Sequence, residues 1–108
     1  MAADYLSDAG MEILARNYRA GHGEIDIIAK DGNSLVFIEV KSNMSRAFGP
    51  PETWVDRRKQ QNIIMVAEAW LEENQIEDVD CRFDVIAIHF AKHPPYINHI
   101  KDAFWIED

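Results

Sequence analysis

Hydrophobic residues recur with a helical period at the beginning of this chain. Ala2, Tyr5, Leu6 and Ala9 would lie on one side of a helix, and Gly10 is suited to the left-handed position that ends one. No N-cap residue stands before this segment. We therefore expect a first helix that either frays or is shortened at its start.

Alternation of apolar and polar residues then replaces the helical period. β-Branched and aromatic residues at every second position predict four strands, at residues 11–19, 24–30, 34–41 and 82–90. Pro94 and Pro95 turn the chain into the segment YINHIKDAFW, which predicts a fifth strand or a short terminal element.

A long helix is predicted between the third and fourth strands, from about residue 52 to 74. Pro51 suits the start of this helix. Its first half, DRRKQQN, has no apolar stripe and is expected to project past the core. The stripe that faces the core lies in the second half and consists of Ile63, Val66, Ala67, Trp70 and Leu71.

The order of these elements is α-β-β-β-α-β. Helices separated by strands predict an α/β fold in which a mixed sheet is flanked by helices. The chain has 108 residues, of which 47% are hydrophobic and 28% charged. We expect residues 1–108 to form a single domain around one core.

Two neighbouring strands carry carboxylates in their interiors. In the second strand, alternation places Glu24 and Asp26 on one face with Ile28, and it places Ile25 and Ile27 on the other. In the third strand, Glu39 and Lys41 share one face with Phe37, and the opposite face carries Val36, Ile38 and Val40.

The turn DGNS decides how these two strands face each other. If GN forms the two-residue loop, Asp26 faces Glu39. Glu24 then faces Lys41. If DG forms the loop, Glu24 faces Glu39, whereas a shift by one residue would scramble both faces. Either allowed register places two carboxylates opposite each other, with their Cβ atoms about 5 Å apart.

This pairing of carboxylates has two interpretations. Alternating charges on a strand usually mark a solvated face, and Glu39-Val40-Lys41 is also compatible with a simple ion pair. Like charges directly opposite each other destabilise a sheet, however, unless they share a proton or hold a cation. Mg²⁺ suits such a pair, and Lys41 would then contact a phosphate or position and deprotonate a water.

The balance of acidic and basic residues argues against some classes of function. A net charge of −8, from 11 basic and 19 acidic residues, argues against a simple nucleic-acid binder. The charge is polarised, because residues 68–80 are acidic without a basic residue, whereas 41–59 are locally basic. No apolar run reaches the length of a membrane span and no signal peptide is present, so we expect a cytoplasmic protein without a membrane partner. Cys81 is interpreted as a reduced, buried thiol.

The carboxylates of these two strands and the sequence around them resemble a known protein family. Asp26, followed by Glu39-Val40-Lys41 on the next strand, resembles the D…E-x-K signature of the PD-(D/E)xK nuclease superfamily, with Ile25 where that signature has proline. The longer strings ILARNYRAGHGEIDIIAKDGNSLVFIEVK, FGPPETWVDRRKQ, CRFDVIAIHF and INHIKDAF resemble the YraN-like family of small bacterial proteins. The resemblance covers essentially the whole chain. It implies a restriction-endonuclease-like fold, similar to that of archaeal Holliday-junction resolvases.

The resemblance also implies roles for individual residues. Asp26 and Glu39 would bind Mg²⁺ or Mn²⁺ together with the backbone carbonyl of Val40. Lys41 would be the catalytic lysine, and Glu24 an auxiliary acid. The nucleic-acid contacts would come from Arg57, Arg58, Lys59, Gln60, Arg16, Arg19 and Arg46.

The chain departs from the family pattern at two places. A Gly-Glu pair that opens the family pattern is missing, which leaves a ligand from the first helix without support. Ser42-Asn43 stands where the family has a residue followed by arginine, and Arg46 is the candidate replacement for that phosphate contact.

Together these features predict a metal-dependent endonuclease that hydrolyses phosphodiester bonds in DNA, including branched or otherwise structured DNA. The alternative is a catalytically silent module of the same fold that binds nucleic acid or protein. A glycosidase using the two carboxylates is disfavoured, because Lys41 and the basic helix end favour a phosphate. Whether the protein forms a homodimer is left open.

Overall fold

A computed structural model describes residues 1–42, 55–90 and 94–105. It contains a five-stranded sheet with strands in the order β1-β2-β3-β4-β5. The elements, in chain order, are α1 (Ala2–Asp8), β1 (Glu12–Ala20), β2 (Gly23–Asp31), β3 (Ser34–Ser42), α2 (Arg57–Glu73), β4 (Asp80–His89) and β5 (Tyr96–Phe104). The predicted α/β fold with a mixed sheet is confirmed, and it is compatible with a restriction-endonuclease-like core.

The sheet is mixed because one of its connections contains a helix. β1, β2 and β3 form an antiparallel meander, β3 and β4 are parallel, and β4 and β5 are antiparallel. The chain from β3 to β4 passes through α2, as a crossover between parallel strands requires. Asp31 pairs with Ser34 across the β2–β3 turn. This is the register in which GN forms the loop, the first of the two that the sequence allowed.

Each face of the sheet buries its own apolar cluster, and each cluster is covered by one helix. We call these the α2-side cluster and the α1-side cluster. The α2-side cluster includes Ile25, Ile28, Leu35, Phe37, Ile63, Val66, Ala67, Trp70, Phe83, Val85 and Phe104. The α1-side cluster includes Ala2, Ala3, Leu6, Met11, Ile27, Ala29, Val36, Ile38, Ile86 and Ile88.

The ends of both helices follow from their local sequence. Gly10 has a φ of +94°, and the N–H groups of Gly10 and Met11 donate to the carbonyls of Ser7 and Leu6. This is a Schellman ending of α1, as the glycine predicts. No helix in the described parts of the chain is long and apolar enough to cross a membrane.

The predicted start of the long helix at residue 52 is wrong for the part that the structure describes. Val55 and Asp56 precede the helix, which begins at Arg57. Asp56 is its N-cap, because its Oδ1 accepts a 2.8 Å hydrogen bond from Lys59 N–H. A carboxylate acceptor at this position satisfies an N–H of the first turn that otherwise lacks a partner.

The prediction that Ile25 lies opposite Ile28 is also wrong. Both residues pack in the α2-side cluster, whereas Ile27 packs in the α1-side cluster. Alternation along β2 is therefore interrupted around Asp26. Asn17, which β1 places across from this interruption, has a left-handed φ of 52°. Such a residue turns the local backbone out of the regular pleat.

Gly23 allows α2 to approach β2 closely. A Cβ atom at this position would lie 2.6 Å from Val66 Cγ2 and 3.3 Å from the backbone oxygen of Asn62. The absence of a side chain thus sets how near the first half of α2 lies to the start of β2. Asn62 and Val66 are consequently packed against the start of β2. The residues before them, Arg57, Arg58, Lys59 and Gln61, are exposed, which agrees with the prediction that this segment projects past the core.

Candidate active site

Glu39 is a carboxylate in an otherwise apolar stretch of β3. It follows Phe37 on the face covered by α2, and only 7% of the residue is exposed. Two ammonium groups approach the same carboxylate oxygen, Oε1. The Nζ of Lys41 lies at 3.8 Å and the Nζ of Lys59 at 3.6 Å. The strand therefore supplies the acid and one lysine, and α2 supplies the second lysine.

Asp26 approaches Glu39 from the neighbouring strand. The β2–β3 ladder ends at the pair of Ile27 and Ile38. Beyond it, Asp26 Oδ2 accepts a 2.7 Å hydrogen bond from Val40 N–H. The N–H and C=O of one residue in a strand point toward the same neighbouring strand. The Val40 carbonyl therefore faces the same gap as the Asp26 carboxylate.

We call Asp26, Glu39, the Val40 carbonyl, Lys41 and Lys59 the acidic centre. Burial raises the pKa of Glu39, and the neighbouring Asp26 charge raises it further. Lys59 and Lys41 act in the opposite direction without reversing the shift. A buried acid whose pKa is raised by a second acid is typical of sites that bind a cation or transfer a proton.

A polar cleft lies beside the acidic centre, between the β1–β2 turn and the first half of α2. It has a volume of about 380 Å³. Lys59 contributes to both the cleft and the acidic centre, so the two share this side chain. The cleft is lined by Arg19, Gly21, His22, Gly23, Glu24, Lys59, Asn62 and Ile63.

The structure places Glu24 and Arg19 in this cleft. Their side chains form an ion pair, with Arg19 Nε 3.2 Å from Glu24 Oε2. The predicted facing of Glu24 and Lys41 is not part of the β2–β3 ladder, which ends before it. Glu24 thus lies in the cleft, and Arg19 has a carboxylate partner within the protein.

The remaining residues predicted to contact nucleic acid lie on different sides of the sheet. Arg57 and Arg58 are exposed in the first turn of α2, and Gln60 Nε2 donates a 2.8 Å hydrogen bond to the Val55 carbonyl. Arg16 pairs in register with a residue of the α1-side cluster, so it does not join the acidic centre. Arg46 lies outside the described residues. The prediction that Cys81 is buried is wrong, because this residue is exposed at the start of β4.

The donor set determines which metal ion would fit. Within residues 1–42, 55–90 and 94–105, no group of three or more His, Cys, Asp or Glu side chains could hold a metal ion. The acidic centre offers two carboxylates and one backbone carbonyl. This is an all-oxygen set, and it suits Mg²⁺, which is typically bound by one or two protein carboxylates with waters in the other positions. A site for zinc, which prefers nitrogen and sulfur ligands, is not favoured.

A second buried acid, Asp84 on β4, was missed by the sequence analysis. It is fully buried on the α1 side of the sheet. Arg82 binds it through two hydrogen bonds of 2.9 and 3.1 Å, and the Asp102 N–H donates another of 2.9 Å. His99 Nε2 lies 2.7 Å from the same carboxylate. The available signal was an aspartate within the apolar run RFDVIAIHF.

The Asp84 network links the sheet to α1. Tyr5 of α1 places its hydroxyl 3.2 Å from His99 Nδ1, and Arg82 Nη1 donates a 3.2 Å hydrogen bond to Asp31. Burial alone would raise the pKa of Asp84, but the hydrogen bonds from His99, Arg82 and Asp102 N–H lower it below its usual value. A buried acid with this many donors is held as a carboxylate and stabilises the fold.

Comparison with known proteins shows extended similarity. Residues 1–88 match the model of the uncharacterised protein family UPF0102. A UPF0102 protein of Chlorobium chlorochromatii (strain CaD3) is 48% identical over 113 residues, covering 99% of this chain and 87% of the relative. A UPF0102 protein of Rhodococcus opacus (strain B4) is 45% identical over 105 residues, covering 96% and 89%. One of Geotalea daltonii (strain DSM 22248 / JCM 15807 / FRC-32) is 48% identical, covering 96% and 83%.

Proposed function

The chain belongs to the UPF0102 family, the YraN-like family that its sequence resembles. We propose that it is a metal-dependent endonuclease acting on DNA. The observation that carries the proposal is Glu39. It is a buried carboxylate with a raised pKa, it lies beside Asp26, and two lysines approach it. A purely solvated strand face would not bury one of two neighbouring acids.

Each residue of the acidic centre has a distinct role in this proposal. Asp26, Glu39 and the Val40 carbonyl would hold Mg²⁺ or Mn²⁺. When bound, such an ion neutralises phosphate charge and promotes formation of a nucleophilic hydroxide from water. The hydrogen bond from Val40 N–H fixes one oxygen of Asp26, which orients the carboxylate before substrate binds.

Lys41 would act on the phosphate and on the attacking water. Its ammonium group lies 3.8 Å from Glu39, so it is held at the centre although the side chain is partly exposed. It would donate hydrogen bonds to a non-bridging phosphate oxygen and to the water that attacks phosphorus. The water oxygen forms the new bond to phosphorus and gives up its proton to bulk solvent, and the bond to the leaving sugar oxygen breaks as that oxygen takes up a proton from solvent.

The first turn of α2 would supply phosphate contacts outside the centre. Lys59 reaches Glu39 from this turn, and Arg57 and Arg58 are exposed on it. Their position beside the polar cleft gives a locally basic border on a protein whose net charge is −8. Phosphate contacts of this kind position a nucleic acid without reading its sequence.

The second candidate function is that of a binding module with the same fold and no cleavage activity. Lys41 and Lys59 already place two positive charges at Glu39, so the carboxylate is compensated without an added cation. This arrangement favours a module that binds nucleic acid or protein and in which the acidic centre is structural. The two functions differ in one measurable property, which is metal-dependent cleavage.

The test is a cleavage assay on labelled linear, flapped, single-stranded and four-way DNA, with Mg²⁺, Mn²⁺ or EDTA. We expect metal-dependent cleavage that is lost in Glu39→Gln and Lys41→Met. Glu68→Gln and Lys30→Met are matched controls, because both residues are exposed and lie outside the centre. No cleavage of any DNA by the unmodified protein, or equal cleavage by Glu39→Gln purified in the same way, would contradict the proposal.

A further inference from the structure

The polar cleft has a size and chemistry that the proposed cleavage reaction alone does not require. We propose that it binds one unpaired nucleotide of a DNA strand, next to the phosphodiester bond at the acidic centre. The position of that bond rests on the proposed function. The nucleotide-binding site itself is inferred from the residues that line the cleft.

The connection between the cleft and the acidic centre comes from one side chain. Lys59 lines the cleft, and its Nζ lies 3.6 Å from Glu39 Oε1. A phosphate at the centre therefore places the adjoining sugar and base at the mouth of the cleft. The volume of about 380 Å³ lies in the range of sites for small molecules, so it would accept a single nucleotide but not a base pair between two strands.

The lining of the cleft offers both donors and acceptors. The Asn62 amide can donate and accept, the Glu24 carboxylate accepts, and the Lys59 ammonium donates. The edges of nucleobases also combine donors with acceptors, whereas a bare phosphate presents acceptors only. Arg19 and Lys59 would attract the phosphate of a nucleotide, whereas Glu24, whose Oε2 lies 3.2 Å from Arg19 Nε, would accept from the amino group of a base. This mixture favours a base edge over an inorganic anion.

The β1–β2 turn gives the cleft an open wall for a planar ring. Gly21 has a φ of +59°, and apart from its chain neighbours no atom of the described residues lies within 4 Å of the position that its Cβ would take. His22, which is exposed between Gly21 and Gly23, supplies a flat aromatic face. Stacking of a base on an aromatic side chain contributes about 1–3 kcal/mol and tolerates any base.

An unpaired nucleotide is favoured over a paired one for an energetic reason. A base inside a duplex must be unstacked and unpaired before it can enter a cleft, at a cost of a few kcal/mol. A base that is already unpaired has no such cost. Single strands, flaps and junction branch points all present such nucleotides. These DNA structures are therefore the substrates that the cleft would favour.

Binding of labelled oligonucleotides, measured by fluorescence anisotropy with Ca²⁺ present, tests the inference. A short single strand without self-complementarity is compared with a blunt duplex of the same sequence. We expect the unmodified protein to bind the single strand about tenfold more tightly. Asn62→Leu and His22→Ala should each weaken single-strand binding roughly fivefold or more and leave duplex binding within about twofold.

Two controls separate the cleft from the rest of the protein. Gln61→Leu changes the residue of α2 that precedes Asn62, which is exposed and outside the cleft, and it should alter neither affinity. We expect Mn²⁺ to raise the melting temperature of the cleft variants as much as that of the unmodified protein, because Asp26 and Glu39 are unchanged. Competition by free deoxyadenosine monophosphate as strong as that of the oligonucleotide would show that the ligand is a free nucleotide and would overturn the assignment to DNA.

The outcomes for the two proposals are distinguishable. Equal affinity for single strand and duplex, or equal effects of Asn62→Leu and Gln61→Leu, overturns the cleft assignment while leaving metal-dependent cleavage intact. Selective binding of single strands that is lost in Asn62→Leu supports the cleft assignment, even if no cleavage is found. In that case the proposed endonuclease activity fails, and the binding module remains.

Discussion

Asp26 combines a structural role and an electrostatic one, and two substitutions separate them. Its Oδ2 accepts from Val40 N–H, and its charge raises the pKa of Glu39. Asp26→Asn keeps an oxygen that can accept this hydrogen bond but removes the charge. Asp26→Ala removes both. Comparing the two variants with the unmodified protein therefore measures the repulsion and the hydrogen bond independently.

The magnitudes follow from the charges of the two acids. Two unit charges that face each other across a sheet, about 5 Å apart, repel by roughly 3 kcal/mol at an effective dielectric constant of about 20. Asp26 is only half-buried, so screening by solvent reduces this to about 1 kcal/mol. We expect Asp26→Asn to be about 1 kcal/mol more stable than the unmodified protein without metal. Asp26→Ala should be about 1–3 kcal/mol less stable than Asp26→Asn, because Val40 N–H loses its acceptor.

Urea unfolding in EDTA and in Mg²⁺ measures these differences. A cation that binds only the folded state stabilises it by about 2.7 kcal/mol at a hundredfold excess over its dissociation constant. We expect this gain for the unmodified protein and for the control Asp80→Asn, an exposed acid at the start of β4. Asp26→Asn should show no gain. If Asp26→Asn is less stable than the unmodified protein in EDTA, the assignment of repulsion is wrong; if it keeps the full Mg²⁺ gain, the ligand assignment is wrong.

The same reasoning gives a pH dependence with a defined sign. The pKa of Glu39 is raised in the folded state, so the folded protein holds this proton more tightly than the unfolded chain does. The resulting stabilisation is fully present below the unfolded value, near 4.5, and is lost as pH rises through the higher folded value. The loss should be smaller in Asp26→Asn, which lacks one cause of the shift. Mg²⁺ affinity should increase over the same pH window, because the ion competes with the proton.

Three further predictions concern other parts of the molecule. Asp84→Asn should lower the free energy of unfolding by about 3–5 kcal/mol in urea titrations, because it leaves buried donors opposite an amide; a loss below about 1 kcal/mol would show that the network is not structural. Gly23→Ala should cost about 1–3 kcal/mol, since its Cβ would lie 2.6 Å from Val66 Cγ2, and adding Val66→Ala should recover part of that loss in the same titrations. Arg57→Ala with Arg58→Ala should weaken DNA binding for all sequences and flatten the salt dependence by about two phosphate contacts, as measured by anisotropy; unchanged binding would place the DNA elsewhere.

The elements of the fold were predictable because their signals are local. Alternation, turn residues and a helical apolar stripe predicted four strands and both helices, and they left the last segment open between a fifth strand and a short terminal element. The register of β2 and β3 was restricted to two choices, because a slip by one residue would have placed Asp26 opposite Ile38 and scrambled both faces. The turn then adopted the loop in which Asp31 pairs with Ser34. Phe37 and Ile38 accordingly lie on opposite faces, as predicted.

The parts that were missed depend on contacts between distant residues. The interruption around Asp26 coincides with the left-handed Asn17 on another strand, which no alternation along β2 can reveal. Lys59 was predicted to contact DNA from the helix end, but its contact with Glu39 requires α2 to pack beside β2 and β3. That packing depends on Gly23, whose role is visible only when the helix is in place.

The two buried acids explain why burial alone does not identify a functional carboxylate. Asp84 is surrounded by donors, and its pKa is lowered despite complete burial. Glu39 has another acid beside it, two lysine ammonium groups lie 3.6 and 3.8 Å from it, and its pKa is raised. Asp84 is thus held by hydrogen-bond donors, whereas the charge of Glu39 is balanced by two lysines and opposed by a second acid. These contacts favour a structural role for the acid on the α1 face of the sheet and the proposed chemistry on the α2 face.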